Sequence, residues 1–237
     1  MGSVNILGLH GFLGDPEDFR PMVDGIVPRY GRIKFYFPNL YQQELGPHIE
    51  LAHWGRHLNH WIEQRDDGNP WIMIGYSMGG RLLASALEVL ESRKAQFVFI
   101  SSFMGKSREP NRILDDQEWA KMFLNEDWPV ALKKWNQHPT LVSSQENQNS
   151  HLENYKHELA MCLTNWSQGI QKDQHQILAR NADRVRYYFG SKDTKYLQYG
   201  HVLSDLGIRT IEVPQSGHRI LRDNSQFICS EVLSLMS

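Results

Sequence analysis

The stretch GYSMG at residues 75–79 lies between two patterns that decide the fold of this chain. The apolar run WIMI (71–74) before it predicts a buried strand, and RLLASALEVL (81–90) after it predicts a helix. A serine on such a sharp turn projects its hydroxyl above the sheet, and the flanking glycines let strand and helix pack closely. An ordinary turn is the alternative, but the strand–turn–helix context favours Ser77 as a nucleophile.

Two further predicted strands lead into residues that complete a triad in the chain order serine, acid, histidine. VRYYF (185–189) runs into a turn ending at Asp193, and RTIEV (209–213) runs into a loop that holds His218. Alone, Asp193 could cap a turn and His218 could be a surface loop residue. At the ends of successive strands, on the edge where open α/β sheets place their sites, they predict a Ser77–His218–Asp193 triad.

The amino-terminal segment supplies a candidate oxyanion hole. VNILGL (4–9) predicts a strand, and the loop HGFLG (10–14) follows it. In a fold with this serine turn, one backbone N–H comes from that loop and the other from the residue after the serine. The donors would be the amides of Phe12 and Met78. His10 could act as a base, but we favour a structural role because His218 already fills that position.

Strands and helices alternate up to about residue 102, which predicts an α/β fold with a mostly parallel sheet flanked by helices. After that point helical patterns replace strand patterns until strands resume at residue 185. We therefore expect a core of residues 1–102 and 176–237, with residues 103–175 forming a helical cap over Ser77. The other predicted elements are strands at 33–37 and 95–100 and helices at 49–64, 115–124, 129–136, 152–163 and 224–235.

These motifs together resemble the α/β-hydrolase superfamily over the whole chain. A narrower resemblance joins GYSMGGR (75–81) and LHGFLG (9–14) to the 2-succinyl-6-hydroxy-2,4-cyclohexadiene-1-carboxylate synthases, the MenH enzymes of menaquinone biosynthesis. The chain departs from that family in having SSF (101–103) in place of a Ser-Pro-Gly segment, and Ser225 in place of a proline. The supporting segments are RILDDQEWAKMF (112–123), WNQHP (135–139), GSKDTKY (190–196) and GHRILRDN (217–224).

The resemblance implies a lyase that eliminates pyruvate from 2-succinyl-5-enolpyruvyl-6-hydroxy-3-cyclohexene-1-carboxylate, without a cofactor. It also implies that Arg81 and Arg112 bind carboxylates of a small polycarboxylate substrate, and that Tyr76 and Trp135 line the same pocket. For each arginine the alternative is a solvated helix residue, and for Trp135 it is a tryptophan of the cap core.

Two other function classes remain open. A serine carboxylesterase, or another hydrolase of small esters or thioesters, would use the same triad to attack an acyl carbonyl. An inactive binding protein is disfavoured because every triad position holds a competent residue. Pocket arginines distinguish the two enzymes, because a hydrolase of neutral acyl chains has no use for them.

Composition limits the partners that we expect. A net charge of −2 gives no electrostatic reason for binding nucleic acid or an anionic membrane. No apolar run reaches bilayer length, and no signal peptide is expected. Cys162 and Cys229 are expected as free thiols, and these features together predict a cytoplasmic location. The histidines at 53, 57 and 60 share a helix face but lack a metalloprotease motif, so no metal is expected. The oligomeric state is not predicted.

Overall fold

Six parallel strands form one sheet in the order β2-β1-β3-β4-β5-β6. The structure is a computed structural model that describes residues 3–27, 32–105 and 108–236. The strands are β1 (Val4–Leu9), β2 (Ile33–Tyr36), β3 (Trp71–Tyr76), β4 (Ala95–Ile100), β5 (Val185–Gly190) and β6 (Arg209–Val213). The α-helices are α1 (Arg20–Ile26), α2 (Leu51–Glu63), α3 (Met78–Leu90), α4 (Pro110–Asn125), α5 (Trp128–Asn136), α6 (Lys156–Asn165), α7 (His175–Arg180), α8 (Thr194–Asp205), α9 (Ile220–Asp223) and α10 (Ser225–Ser234). The predicted α/β class with a parallel sheet is therefore confirmed.

The four inner strands, β1, β3, β4 and β5, are buried on both faces, which explains why they are largely apolar runs rather than alternating patterns. Successive side chains point to opposite faces. Met73 and Phe97 belong to a core shared with α2 and α3. Ile72 and Val98 belong to a second core, shared with α1 and α10.

Backbone strain gathers at one edge of this sheet. Among the described residues, the non-glycine positions with positive φ are Leu13, Ser77, Ser101 and Gln215. They lie in the loops that follow β1, β3, β4 and β6, so all four are at the carboxyl ends of strands. The strand order also reverses at β1, which pairs with β2 on one side and β3 on the other. Ligand sites of open α/β sheets lie at such a reversal, and strained residues cluster at functional sites.

Helices occupy the chain between β4 and β5, and its described residues contain no strand. This segment is tied to the core: the Trp166 indole N–H donates to the Ile49 carbonyl at 2.8 Å, and the Asn165 side chain donates to the Pro47 carbonyl at 2.9 Å. Apolar residues such as Phe123 share one hydrophobic cluster with the sheet. The division into a core and a cap of residues 103–175 stays a prediction.

Candidate active site

Ser77 occupies a strained turn between β3 and α3. Its φ is 50° and its ψ is −108°, and its N–H donates to the Ile100 carbonyl at 2.8 Å. The turn depends on glycine on both sides. A Cβ at Gly79 would lie 2.1 Å from the Leu9 carbonyl oxygen, and one at Gly75 would lie 2.5 Å from the Gly80 Cα. Close packing around the turn therefore holds the serine in this conformation.

The structure brings the three predicted triad residues together. Ser77 Oγ lies 3.0 Å from His218 Nε2, and His218 Nδ1 lies 2.9 Å from Asp193 Oδ2. Asp193 and His218 are buried, with 3% and 5% of their surfaces exposed. A carboxylate only accepts hydrogen bonds, so Nδ1 carries the ring proton and Nε2 is free to accept the proton of the Ser77 hydroxyl.

The second oxygen of Asp193 has a separate task. Asp193 is the N-cap of α8, where its Oδ1 accepts a hydrogen bond from the Tyr196 N–H at 3.3 Å. The sequence suggested either a capping role or a triad role for Asp193. The carboxylate has both contacts, with Oδ1 at the cap and Oδ2 at His218. Because the cap fixes the carboxylate relative to α8, it also fixes the direction from which Asp193 meets His218.

The loop that carries His218 is bound to the segment between β4 and β5. The Arg219 guanidinium donates to the Gln145 carbonyl and to Asn136 Oδ1, both at 2.7 Å. Arg222 donates to Asn149 Oδ1 at 3.1 Å. These two arginines, which follow the histidine in sequence, thus hold the His218 loop against that segment.

The predicted oxyanion donors lie in the loop beside Ser77 and at the start of α3. A Cβ built on Gly11 would be 3.4 Å from the Ser77 Cβ, so the loop after β1 touches the serine turn. Within the described part of the chain, neither the Phe12 N–H nor the Met78 N–H has a hydrogen-bond acceptor. Two amides beside the serine are therefore available to an anionic oxygen.

His10 holds the same loop in place through contacts at both of its ring nitrogens. Its Nδ1 lies 2.9 Å from the Gly11 carbonyl, and its Nε2 accepts the Leu40 N–H at 3.0 Å. The ring is fully buried, and that burial lowers its pKa from 6.5 to about 4. A neutral imidazole engaged at both nitrogens has a structural role.

The buried His10 predicts a loss of stability in mild acid. Its folded pKa, about 4, lies below the unfolded value of 6.5, so the unfolded chain binds more protons between these pH values. The contribution is complete above pH 6.5 and is lost as the pH falls towards 4. Acidification from pH 7 to 5 should lower the free energy of unfolding by about 2 kcal/mol through this residue.

Urea unfolding at both pH values measures this effect. His10→Gln should have a shallower pH dependence, because glutamine does not titrate. His53→Gln, a substitution at an exposed position on α2, should keep the wild-type dependence. Equal pH dependence in His10→Gln and wild type would rule out His10 as the source.

A cavity of about 650 Å³, counting space open to solvent, lies above Ser77 and His218. Both predicted arginines line it. Arg81 is in the first turn of α3, where its Nη1 donates to the Trp166 carbonyl at 2.8 Å. Burial lowers the pKa of the Arg81 guanidinium, which nevertheless stays a cation because arginine is effectively always protonated in proteins.

Arg112 reaches the cavity from the first turn of α4. Its Nη2 lies 2.9 Å from Asp116 Oδ1, an ion pair whose angles fall outside those of a hydrogen bond. Asp116 is 1% exposed, and its other oxygen accepts from the Ser167 hydroxyl at 2.7 Å. Arg112 Nε has no partner among the described residues. The carboxylate therefore orients the guanidinium but leaves part of its donor edge free.

Lys195 and His138 also line the cavity, and our sequence interpretation gave neither of them a role. Lys195 lies in the first turn of α8, and desolvation followed by the Arg112 charge lowers the pKa of its ammonium, although the side chain stays accessible. Burial, with Arg112 next in effect, lowers the pKa of His138. The signal for Lys195 was its position two residues after Asp193, which became useful only once α8 was known to start there.

The two predicted pocket aromatics differ in position. Trp135 lines the cavity, and its ring centre lies 4.8 Å from that of Phe12 and 4.9 Å from that of Trp119. Tyr76 is not among the described residues that line the cavity. It follows the alternation of β3 onto the face of Ile72 and Ile74. From there its ring centre lies 6.0 Å from that of His218, so Tyr76 packs beside the histidine rather than facing the cavity.

The described residues contain no group of three metal-binding side chains placed to hold one ion. The three histidines of α2 are exposed. Over the same residues, no helix is both long and apolar enough to span a bilayer. Both cysteines are buried free thiols.

Sequence comparison relates the chain to a group of named synthases, although no family model matches it. A Haemophilus influenzae protein, provisionally named as a 2-succinyl-6-hydroxy-2,4-cyclohexadiene-1-carboxylate synthase, is 23% identical over 97% of this chain and 96% of its own length. A Yersinia pseudotuberculosis protein that carries the same synthase name is 23% identical over 98% of this chain and 87% of its own.

Solved structures with the same architecture include both a synthase and an esterase. MenH from S. aureus superposes with a TM-score of 0.77 at 18% identity, covering 99% of this chain and 94% of that protein. An esterase from Thermogutta terrifontis, solved with malate bound, superposes with a TM-score of 0.79 at 11% identity, covering 100% and 90%. At these identities the structural likeness shows the fold. The chain therefore has the α/β-hydrolase fold, and in sequence it resembles the 2-succinyl-6-hydroxy-2,4-cyclohexadiene-1-carboxylate synthases over nearly its whole length.

Proposed function

We propose that this protein is a lyase that eliminates pyruvate from 2-succinyl-5-enolpyruvyl-6-hydroxy-3-cyclohexene-1-carboxylate, giving 2-succinyl-6-hydroxy-2,4-cyclohexadiene-1-carboxylate. The observation that carries the proposal is a Ser77–His218 pair facing a cavity lined by three cations, Arg81, Arg112 and Lys195. One carboxylate, Asp116, lines the same cavity. Excess positive charge suits a substrate with several carboxylates, which guanidinium groups bind through paired hydrogen bonds.

The triad acts as a base in this reaction. His218 Nε2 takes the proton of the Ser77 hydroxyl, and the serine oxygen removes the proton from the ring carbon that bears the succinyl group. The electrons of that C–H bond form a new ring double bond, and the existing double bond shifts by one position. The bond from the ring to the enolpyruvyl oxygen then breaks, and the departing enolate takes up a proton to become pyruvate.

The remaining parts of the site support this proton transfer. Asp193 holds the His218 tautomer and stabilises the imidazolium that forms. Negative charge develops on the succinyl carbonyl oxygen as the neighbouring carbon loses its proton. The amides of Phe12 and Met78 would donate to that oxygen. No acyl-enzyme is formed, and the chemistry needs no cofactor.

Ester hydrolysis is the second candidate, because the Thermogutta terrifontis esterase superposes on this chain as well as the S. aureus MenH does. In that reaction Ser77 attacks an acyl carbonyl, and the same two amides hold the tetrahedral oxyanion. A neutral ester gains nothing from Arg81 and Arg112. The two activities therefore differ in their dependence on these side chains.

We expect Arg81→Ala and Arg112→Ala each to lower kcat/KM for the synthase substrate by about 10- to 100-fold, the value of a lost charge-assisted pair. Arg→Lys should restore only part of the loss, since an ammonium lacks the planar fork. The measurement is the steady-state release of pyruvate and loss of substrate. Arg180→Ala, at an exposed arginine of α7, is the matched control. Full activity in both pocket variants would favour the hydrolase.

A further inference from the structure

The cations of the cavity differ in how much of their bonding capacity the protein already uses. Arg81 donates to the Trp166 carbonyl, and Arg112 pairs with Asp116. Within residues 3–27, 32–105 and 108–236, no carboxylate comes within ion-pair distance of the Lys195 ammonium. That ammonium lies 5.2 Å from the centre of the Tyr196 ring. Lys195 is thus a cavity cation whose N–H donors are available to a ligand.

The three cations also come from three different elements. Arg81 belongs to α3, Arg112 to α4 and Lys195 to α8, two residues after Asp193. The Asp193 cap fixes the first turn of α8, so the acid of the triad and the stem of Lys195 are held by one turn. A single carboxylate does not need three separated cations, whereas a substrate with two or more carboxylates can engage them at the same time.

His138 adds a hydrogen-bond donor to the part of the cavity wall that holds Lys195. The Thr140 N–H donates to its Nδ1 at 3.3 Å, so a neutral ring presents its Nε2–H as a donor. Charges on Arg112 and then Lys195 are the largest influences on its pKa after burial, and both disfavour protonation. The wall shared by His138 and Lys195 therefore offers hydrogen-bond donors and a positive field.

We propose that Lys195 forms a second carboxylate-binding subsite, separate from the Arg81–Arg112 pair, so that the cavity selects dicarboxylates over monocarboxylates of the same length. This subsite deepens the proposed function and rests on it for the identity of the natural substrate. Its ligand class is defined by chemistry alone: a small molecule with two carboxylates, one at the arginines and one at the ammonium.

The test compares diacids with their monomethyl esters, which keep the length but lose one charge. Calorimetric titration of the full-length protein with succinate, glutarate and adipate, each beside its monomethyl ester, finds the diacid that best spans the subsites. We expect wild type to prefer that diacid by about tenfold, and Lys195→Met to lose the preference while binding the monoester unchanged. Lys192→Met, three residues earlier in the loop before α8 and outside the cavity, should keep the preference.

Every outcome bears on the subsite independently of the reaction. A wild type that binds diacids and monoesters equally, or a Lys195→Met variant that keeps the preference, overturns it. If the preference depends on Lys195 but wild type releases no pyruvate from the synthase substrate, the subsite stands and the proposed function falls. If wild type releases pyruvate and Lys195→Met matches its kcat/KM, the subsite falls and the proposed function stands.

Discussion

Ser77→Ala should lower pyruvate release by about 10²–10⁴-fold, the usual contribution of a positioned base. The reason is geometric: Ser77 Oγ lines the cavity and lies 3.0 Å from His218 Nε2, so it can take the substrate proton while His218 takes its own. If the enzyme is instead a hydrolase, the loss should be larger, about 10⁶-fold, because the nucleophile itself is gone. Steady-state kinetics of the purified variant measure the effect.

Folding must be unchanged for that result to be informative. Alanine removes one hydroxyl from a half-buried side chain and keeps the Ser77 N–H that donates to Ile100. Urea midpoints of variant and wild type should therefore agree closely. Ser85→Ala, on the helix α3 that follows Ser77 and outside the catalytic cavity, is the matched control and should retain activity. Activity of Ser77→Ala within tenfold of wild type would contradict the assigned base.

Asp193→Asn should lower turnover by about 10²–10⁴-fold, although the side chain keeps its shape. Asparagine has one oxygen, whereas two oxygens of Asp193 are in use, one on the Tyr196 N–H and one on His218. If the amide oxygen keeps the α8 cap, the NH₂ group faces His218 Nδ1. That donor forces the ring proton onto Nε2, where the ring can no longer accept the Ser77 proton.

An aspartate-to-asparagine change at the other end of α8 is the control that separates an effect on catalysis from an effect on helix stability. Asp205→Asn, at an exposed position, should leave kcat/KM near the wild-type value. The unfolding free energy of Asp193→Asn should change by about 1 kcal/mol or less if the cap is kept. A large loss of stability with little loss of turnover per folded molecule would show that Asp193 serves α8 rather than His218.

The inner strands could be predicted closely because they are buried on both faces. β1 and β4 begin and end where the apolar runs at 4–9 and 95–100 predicted, and the edge strand β6 has the predicted bounds 209–213. A continuous apolar run bounded by turn residues has few alternatives in an α/β chain. Chain order and strand ends were then enough to predict that Ser77, Asp193 and His218 would meet.

Helices with weak amphipathic patterns were missed, and part of the site was missed with them. α8 is largely polar and follows what looked like a simple turn at Asp193. The sequence showed Asp193 as a candidate for one role at a time, whereas in the structure one oxygen accepts the Tyr196 N–H and the other contacts His218. Without α8, Lys195 had no reason to be placed beside the arginines.

The position of Tyr76 shows a different limit. The resemblance to the synthases implied a pocket position for Tyr76, but strand alternation governs residues up to the last one of β3. Tyr76 is the last residue of β3 and keeps the extended backbone of the strand, so its side chain follows the strand alternation. The backbone departs from the strand only at Ser77, where φ is 50°.

The most direct test of the account supplies purified wild type with 2-succinyl-5-enolpyruvyl-6-hydroxy-3-cyclohexene-1-carboxylate and, in parallel, with a small neutral ester. Pyruvate and the free acid of the ester are assayed, with Ser77→Ala as the blank in both reactions. We predict Ser77-dependent pyruvate release with a kcat/KM well above that for the ester. Efficient ester cleavage by wild type without pyruvate release would contradict the account and identify the protein as a hydrolase.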